Sequence, residues 1–517
     1  MRVIYSTCYA DPWIKVAHKL QKEHGYEPVY WNGYDDDDSE NLVKKQFPNA
    51  IYQRYYDAWK GIFPEVIEKE FNQTYVDIDF LKDSAHYELQ ALLMMNRMDD
   101  LRHSFNLLER RRHFLKLVKY WTATIRILKP DVVISAIVPH RVYDYVLYLL
   151  CKHHGIKYIT FRNSAFRGHI VPLTDVAEVK SIFDKDYEKY ANQEKDNQFF
   201  LNQLEKQIIE KLEKVRKDYS IAEPDYMQQH VKSHKKSAGV FALAGKLFND
   251  MSVYREKYFG KNGYLRKGIP TYIKEQNKSI ENSHLSLVQY ATHKVATNKY
   301  KNRLKKYYNK LVEEPDLTKP YIVLPLHYQP EMTSNPSGDI FTDQMLCVEM
   351  LAKNLPSGYQ IYIKEHRSQF YAHTEGHSYR IKEFYDDLLS YPQVKLVSLD
   401  YDIFTLIKNS KAIATVTGTA GWEGMVLGKP VVIFGLSWYE KYKGVLKITD
   451  EESASKLTSF IENFSFSENN LLAYLTAFNK NSVKAYFYRG LKQKMDQSEE
   501  ECVDNLTNII TEMEKNA

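Results

Sequence analysis

Apolar positions along the chain fall into two stretches of strand-helix alternation, separated by a long polar stretch. Val3 to Ser6 is a short buried-type run, about Trp13 to His24 repeats at helical spacing, and Pro28 to Trp31 is strand-like again. This is how an open α/β sheet begins. From about Phe80 to Leu128 the spacing is helical, and ERRRHFLKLVKYW presents a basic amphipathic face. DVVISA (131–136), PHRVYDYVLYLLCKHHG (139–155) and IKYITF (156–161) read as strand, helix stopped by Gly155, and strand. The right-handed crossover of such a βαβ unit places the loop with Pro139, His140 and Arg141 at the carboxyl edge of the sheet, where these folds bind ligands. His140 and Asp144 then share one helix face near that edge.

Residues 176–318 lose the rhythm and are rich in Lys, Glu and Gln, which predicts an inserted helical region. Two segments there mix cations with polar or tyrosine residues, KSHKKS (232–237) and YKNRLKKYYNK (300–310). Such a composition suits phosphates, a membrane surface or a polyanionic acceptor, and equally a plain solvated helix. The alternation returns with YIVLPL (321–326), a helix in FTDQMLCVEMLAKNLP, YQIYIKEH (359–366), VKLVS (394–398), a helix in DIFTLIKNS (402–410), AIATV (412–416), a helix in GWEGMVLG (421–428) and PVVIFG (430–435). The tail after about 450 is expected to be helical. The boundaries drawn from these patterns are 1–175, 176–318, 319–450 and 451–517.

Length and composition fit that division. A chain of 517 residues exceeds a single core, and 44% hydrophobic with 26% charged residues is a globular balance. The net charge of +5 arises from 71 basic and 66 acidic residues, so no general affinity for nucleic acid is indicated. Cys8, Cys151, Cys347 and Cys502 are scattered, which fits a reducing compartment and a cytoplasmic location. No apolar run approaches 18 residues. No Cys/His set has zinc spacing, and the acidic run at 35–38 reads as a solvated loop before it reads as a cation site.

Three strand exits of the second α/β stretch carry polar clusters, and a parallel sheet gathers its carboxyl ends on one edge. In TGTAGWE (417–423), Gly418 and Gly421 permit close backbone approach, and the turn opens a helix whose N–H groups suit a phosphate. Thr417 and Thr419 add hydroxyl donors, and Glu423 is placed to accept from a ribose diol. Thr419 as N-cap with Glu423 as its capping carboxylate is the competing reading. In KEHR, Lys364, His366 and Arg367 can neutralise a leaving phosphate, or form a surface loop. In HYQPE, His327, Gln329 and Glu331 are candidates for base, orienter or substrate contact.

PLHYQPE, KEH and the TGTxxWExxxxGKPVVxFG block, with PHxxxDYxLY in the first half, resemble bacterial capsule and surface polysaccharide biosynthesis proteins related to the Kdo transferases of capsule assembly. The resemblance covers roughly 130–165 and 320–440, and the Gly428-Lys429-Pro430 exit is also similar to sugar-nucleotide 2-epimerases. It implies a GT-B fold: two Rossmann-like doubly wound domains facing a cleft, here with a helical insertion and C-terminal helices. It implies that Lys364, Glu365, His366, Thr417, Gly418, Thr419 and Glu423 line a donor pocket, with the acceptor held by the N-terminal domain and no metal or other cofactor. Two departures stand out. FRNSAFRGH (161–169) replaces the ExGFxRS-type segment that supplies the catalytic carboxylate in the Kdo transferases, and KEHR replaces the commoner KEHP. The sugar, with CMP-Kdo or a related acidic sugar as one candidate, and the stereochemical course therefore stay open.

The expected activity is transfer of a sugar from a nucleotide-sugar donor to a growing capsular or surface glycan or glycolipid. His140 or Asp144 would serve as base from the N-terminal edge, with His327 and Glu331 as further catalytic candidates. Peripheral contact with the inner face of the cytoplasmic membrane, through the basic, tyrosine-rich insertion, is the other partner expected. The rivals are a sugar-nucleotide epimerase or hydrolase of the same fold, and a non-catalytic scaffold of a polysaccharide assembly complex.

Overall fold

The β-branched runs of the two rhythmic stretches assemble into two separate sheets. A computed structural model of the chain describes residues 1–9, 12–98, 105–176, 182–193, 195–217, 287–371, 374–487 and 497–516. The first stretch supplies β1 (Arg2–Ser6), β2 (Glu27–Gly33), β3 (Ile51–Arg54), β4 (Val132–Ser135), β5 (Lys157–Asn163) and β6 (His169–Leu173). The second supplies β7 (Tyr321–Pro325), β8 (Gln360–Lys364), β9 (Val394–Val397), β10 (Ala412–Thr415), β11 (Val431–Ile433) and β12 (Val445–Lys447), and the tail adds β13 (Val483–Lys484).

The N-terminal sheet runs β13-β6-β5-β4-β1-β2-β3, and the C-terminal sheet β12-β11-β10-β7-β8-β9. The C-terminal sheet is parallel throughout. Among the described residues, the N-terminal sheet is parallel except where β6 pairs antiparallel with β5 and with β13. Chain order reverses direction between β1 and β4 in one sheet and between β7 and β10 in the other. Each reversal splays the two following loops apart and opens a crevice at the carboxyl edge. Both units are therefore Rossmann-like, as the resemblance implies.

The strands read as continuous apolar runs because both faces of each sheet are covered. Val132 and Ile134 of β4 enter one apolar layer and Val133 the other. Ile322 and Leu324 of β7 are divided in the same way from Tyr321 and Val323. One layer of the N-terminal unit continues into the C-terminal one through Trp422, Met425 and Trp438, with the Phe166 ring edge-on to Trp422 at 5.1 Å.

The helical stretch expected from Phe80 to Leu128 is several helices, of which Ala85–Met94 and Leu107–Leu128 are the longest. The tail is not helical alone. β13 pairs with β6, which would otherwise leave an open sheet edge, and the helix Glu499–Asn516 returns to the first helix through a Lys19–Asp504 pair. The acidic run at 35–38 opens the helix Asp37–Gln46, with Asp36 accepting from the Ser39 N–H at 2.7 Å as N-cap. The regular elements in the described part of 176–318 are helices, Leu287–Leu311 the longest, with an isolated bridge from Val312 to Leu396, and KSHKKS (232–237) lies outside the described residues.

Candidate functional site

A cavity of about 930 Å³ lies at the crevice of the C-terminal sheet. Its walls are the exits of β7, β8, β9 and β10, joined from the opposite unit by Arg162 and Asn163 at the end of β5 and by Ser164 and Ala165 after it. The three polar clusters expected to converge do so, because parallel strands deliver their exits to one edge. The sequence reading missed two contributors, the Asp400 to Phe404 loop and Arg162. Arg162 lies within FRNS at a strand exit, a position whose signal is the strand end itself rather than any motif.

At the TGT turn the helix runs Thr419–Val426, two residues earlier than its apolar pattern suggests, and its N-cap is Gly418 with no side chain capping it. The capping reading of Thr419 and Glu423 is thereby overturned. The N–H groups of Thr419 and Ala420 meet no acceptor among the described residues, and Thr419 is exposed. These are the orphan donors that make a helix start attractive to an anion. Thr417 is turned inward, its hydroxyl donating to the Thr333 carbonyl at 2.6 Å. The Gly418 N–H is also occupied, by Thr415 Oγ1 at 3.0 Å.

The glycines serve packing more than ligand approach. A Cβ on Gly418 would lie 2.7 Å from Thr415 Oγ1 and 3.2 Å from His327 Nε2. On Gly421 it would collide with the Tyr439 hydroxyl. Glu423 is buried in the helix and lines the cavity, as a ligand to a diol would require.

His327 joins the two loops beside the crevice. Its Nε2 accepts from the Thr417 N–H at 3.3 Å and lies 3.1 Å from Thr415 Oγ1. An accepting Nε2 puts the proton of a neutral ring on Nδ1, which faces Thr333 Oγ1 at 3.3 Å. Thr333 in turn donates to Glu331 Oε2 at 3.0 Å. Burial, reinforced by the positive charges of Arg162 and Arg380, pushes His327 down to about 4, so the ring is neutral at ordinary pH. Burial also raises the Glu331 carboxyl. A relay from His327 through Thr333 to a cavity-lining carboxylate results.

KEHR divides its labour. Glu365 lines the cavity, but its side chain is engaged by the scaffold: it is buried against Arg380, Nε to Oε2 at 2.6 Å, and accepts from the Tyr385 hydroxyl at 2.8 Å. Arg380 also reaches Gln329 Oε1 at 2.8 Å, so Gln329 belongs to the scaffold as well. Lys364 and Arg367 both donate to the Leu399 carbonyl, at 2.8 and 3.0 Å, which fixes two cations along the cavity rim. His366 Nδ1 accepts from the Ser368 N–H at 3.2 Å, leaving its proton on Nε2 as a donor. Burial pushes this imidazole down to about 3.

The N-terminal bases expected at this site are elsewhere. Asp144 is wholly buried and accepts from the N–H groups of Arg141 and His140, at 2.7 and 3.3 Å, as the cap of its helix. Burial raises its carboxyl to about 7. His140 Nδ1 lies 2.9 Å from the Val138 carbonyl, and neither residue lines the cavity. The crossover does bring them to a sheet edge, but to the crevice between β1 and β4, whereas the cavity opens beside β5. What the N-terminal unit sends to the cavity is Arg162, buried, with Nη1 donating to Ser337 Oγ at 2.9 Å. Burial lowers this guanidinium to about 10. Among the described residues no group of three or more His, Cys, Asp or Glu is arranged to hold a metal ion, and no helix is long and apolar enough to cross a membrane.

Residues 261–462 match the family described as capsule polysaccharide biosynthesis protein. Among solved structures the chain is similar to a Thermosulfurimonas dismutans KpsC, beta Kdo 2,7 transferase, at 16% identity over 44% of this chain and 67% of that one, TM-score 0.24. A second Thermosulfurimonas dismutans KpsC structure, beta Kdo 2,4 transferase, is similar at 11% identity over 67% and 79%, TM-score 0.25. The UDP-GlcNAc 2-epimerase of Methanocaldococcus jannaschii is similar at 13% identity over 91% and 95%, TM-score 0.24. No curated protein matches.

Proposed function

We propose that this chain, of which residues 261–462 match the capsule polysaccharide biosynthesis family, is a glycosyltransferase using a nucleotide-sugar donor to extend a capsular or surface glycan. One observation carries the reading. The cavity between the two units has helix-start N–H groups, a neutral imidazole donor and two rim cations on one wall, and a carboxylate and a buried arginine on its other sides. That arrangement suits an anionic leaving group whose charge grows as the glycosidic bond breaks.

In this reading the donor phosphate lies against the N–H groups of Thr419 and Ala420, with His366 Nε2 donating from the side. Glu423 takes the ribose diol. Glu331, its basicity raised by burial and its orientation fixed by Thr333, removes the acceptor hydroxyl proton, the part first given to His140 or Asp144. An acidic sugar such as Kdo fits beside Arg162, which presents N–H groups not used by Ser337.

A melting-temperature panel of CMP, UDP, GDP and their sugars tests the donor site, since a ligand at 100 times its dissociation constant stabilises by about 2.7 kcal/mol. One nucleotide class should raise the melting point, and a flat panel removes the proposal. Incubating the matching nucleotide-sugar without acceptor then separates transfer from the same-fold rivals. An epimerised sugar, or free nucleotide produced as fast as with acceptor, would assign the cavity to an epimerase or hydrolase.

A further inference from the structure

The 25-residue helix Leu287–Leu311 contains no acidic residue. Its inner face is anchored in the C-terminal unit: Leu304 and Tyr308 are buried in that core, and Lys301 donates to the carbonyls of Tyr371 and Thr374 at 2.6 and 2.8 Å. The Glu365 N–H donates to the Tyr308 hydroxyl at 3.1 Å, so this helix is fastened to the wall of the cavity.

The outer face is different. Lys299, Arg303, Lys306 and Lys310 are all exposed. At 3.6 residues per turn their spacing sets them within an arc of about 60°, forming a ridge roughly 17 Å long. Exposed helices elsewhere in this protein balance such cations with carboxylates one turn away, as in Lys44–Glu40, Lys353–Glu349 and Lys382–Asp386. None of the four ridge cations has an acidic partner among the described residues. The neighbouring acids are engaged, Asp386 by Lys382 and the Tyr307 hydroxyl, and Glu313 by Lys395 at 2.9 Å. Lys299 with Arg303, and Lys306 with Lys310, are like charges at i and i+4, an arrangement that destabilises a helix in isolation.

We propose that this cationic ridge docks the protein on an anionic lipid surface. The ridge is convex, and among the helix tyrosines whose side chains are described, Tyr300, Tyr307 and Tyr308 are half-buried or buried rather than displayed as platforms. A single polyanionic strand is usually gripped by a groove with stacking rings, whereas a flat array of anionic headgroups needs only aligned cations. Val295, 55% exposed on the same face, adds an apolar contact at one end. Because the inner face holds the β8 exit, docking would set the cavity at a fixed height above the headgroups. This inference goes beyond the transferase reading and does not depend on it.

The test is co-sedimentation of the full chain with phosphatidylglycerol–phosphatidylcholine vesicles and with phosphatidylcholine vesicles. Binding is expected only to the anionic vesicles and should weaken as salt is raised. Replacing Lys299, Arg303, Lys306 and Lys310 together by Gln should reduce it by roughly several hundredfold, at about fivefold per cation near such a surface. Replacing the exposed Lys22, Lys45, Lys69 and Lys408 by Gln removes the same charge and should leave most of the binding. Equal loss in the two variants, full binding by the ridge variant, or capture by an acidic polysaccharide with none by vesicles would each overturn the proposal. The melting shift with nucleotide, measured on the ridge variant, keeps the outcome separate from the fate of the donor site, since no ridge residue lines the cavity.

Discussion

Arg380 donates to Glu365 at 2.6 Å with their side chains only 1% and 0% exposed, and the same guanidinium reaches Gln329 on the neighbouring strand exit at 2.8 Å. One buried cation thus ties the loop after β8 to the loop after β7. His366 and Glu331, which face the cavity, follow the residues so tied by one and two positions. The geometry of the candidate site is set from behind its visible wall.

Removing one partner of such a pair leaves a buried charge without compensation, at a cost of about 3–5 kcal/mol. Arg380→Met should therefore lower the urea midpoint far more than any cavity-lining substitution. The double variant Glu365→Gln/Arg380→Met should recover a large part of the loss. If Arg380→Met alone costs under about 1 kcal/mol, the pair is not what holds the two exits together.

Thr419→Val removes an exposed hydroxyl with no partner among the described residues, so the stability of the free protein should change by no more than about 0.5 kcal/mol. The melting shift given by nucleotide should shrink. Glu423→Ala should diminish it as well, through the lost ribose contact, and a nucleoside lacking the diol should be indifferent to that change. A full shift in both variants would place the nucleotide elsewhere.

The two sheets were legible because their strands are β-branched runs flanked by helical periods, and the three polar exits because parallel strands deliver their ends together. Roles within each exit were not. KEHR shows three polar residues in a row after the strand, yet only packing reveals that Glu365 turns inward to an arginine fifteen residues on while His366 keeps a proton for the cavity. Gly418 lines the cavity, and its missing Cβ also makes room for Thr415 and His327, which no motif shows. His140 and Asp144 were placed at a sheet edge by the βαβ rule, which fixes the edge and not which crevice along it. β13 could not be read at all, since two residues carry no periodicity.

Acid should weaken the fold partly through His327. Its folded-state pKa of about 4 lies below the ordinary histidine value near 6.5, so between these the unfolded chain binds the extra proton. Stability from this group is complete above pH 6.5 and is lost as pH falls toward 4, by roughly 3 kcal/mol. Glu331 acts with the opposite sign: its raised carboxyl favours the fold at low pH, a contribution that fades as pH rises through the folded value. Melting curves of the parent and of His327→Gln from pH 7 to 4 should converge at the acid end, and parallel curves would show that the ring is not kept neutral by burial.

Glu331→Gln keeps the shape of the carboxyl and the bond from Thr333 but cannot accept a proton. Turnover should fall by a factor of about 10² to 10⁴, with the nucleotide melting shift retained. A drop in the shift with unchanged turnover would make Glu331 a donor contact and return the base to the search.

In the proposed reading, Arg162 is the side chain through which the N-terminal unit would enter the chemistry. It crosses the cleft to Ser337 while its charge bears on His327, so it can sense whether the two units are closed on each other. Lysine would keep the charge but lose the planar fork, which can bond Ser337 and an anionic sugar group together. Arg162→Lys should therefore lower kcat by about one to two orders of magnitude, the scale of losing one or two charge-assisted hydrogen bonds, and leave the nucleotide melting shift in place. In the proposed reading, binding of the nucleotide belongs to the C-terminal wall, whereas alignment of the sugar needs both walls. If Arg162→Lys instead abolishes the nucleotide shift and spares kcat at saturating donor, the arginine holds the leaving group and the division of labour between the two units is the reverse of this one.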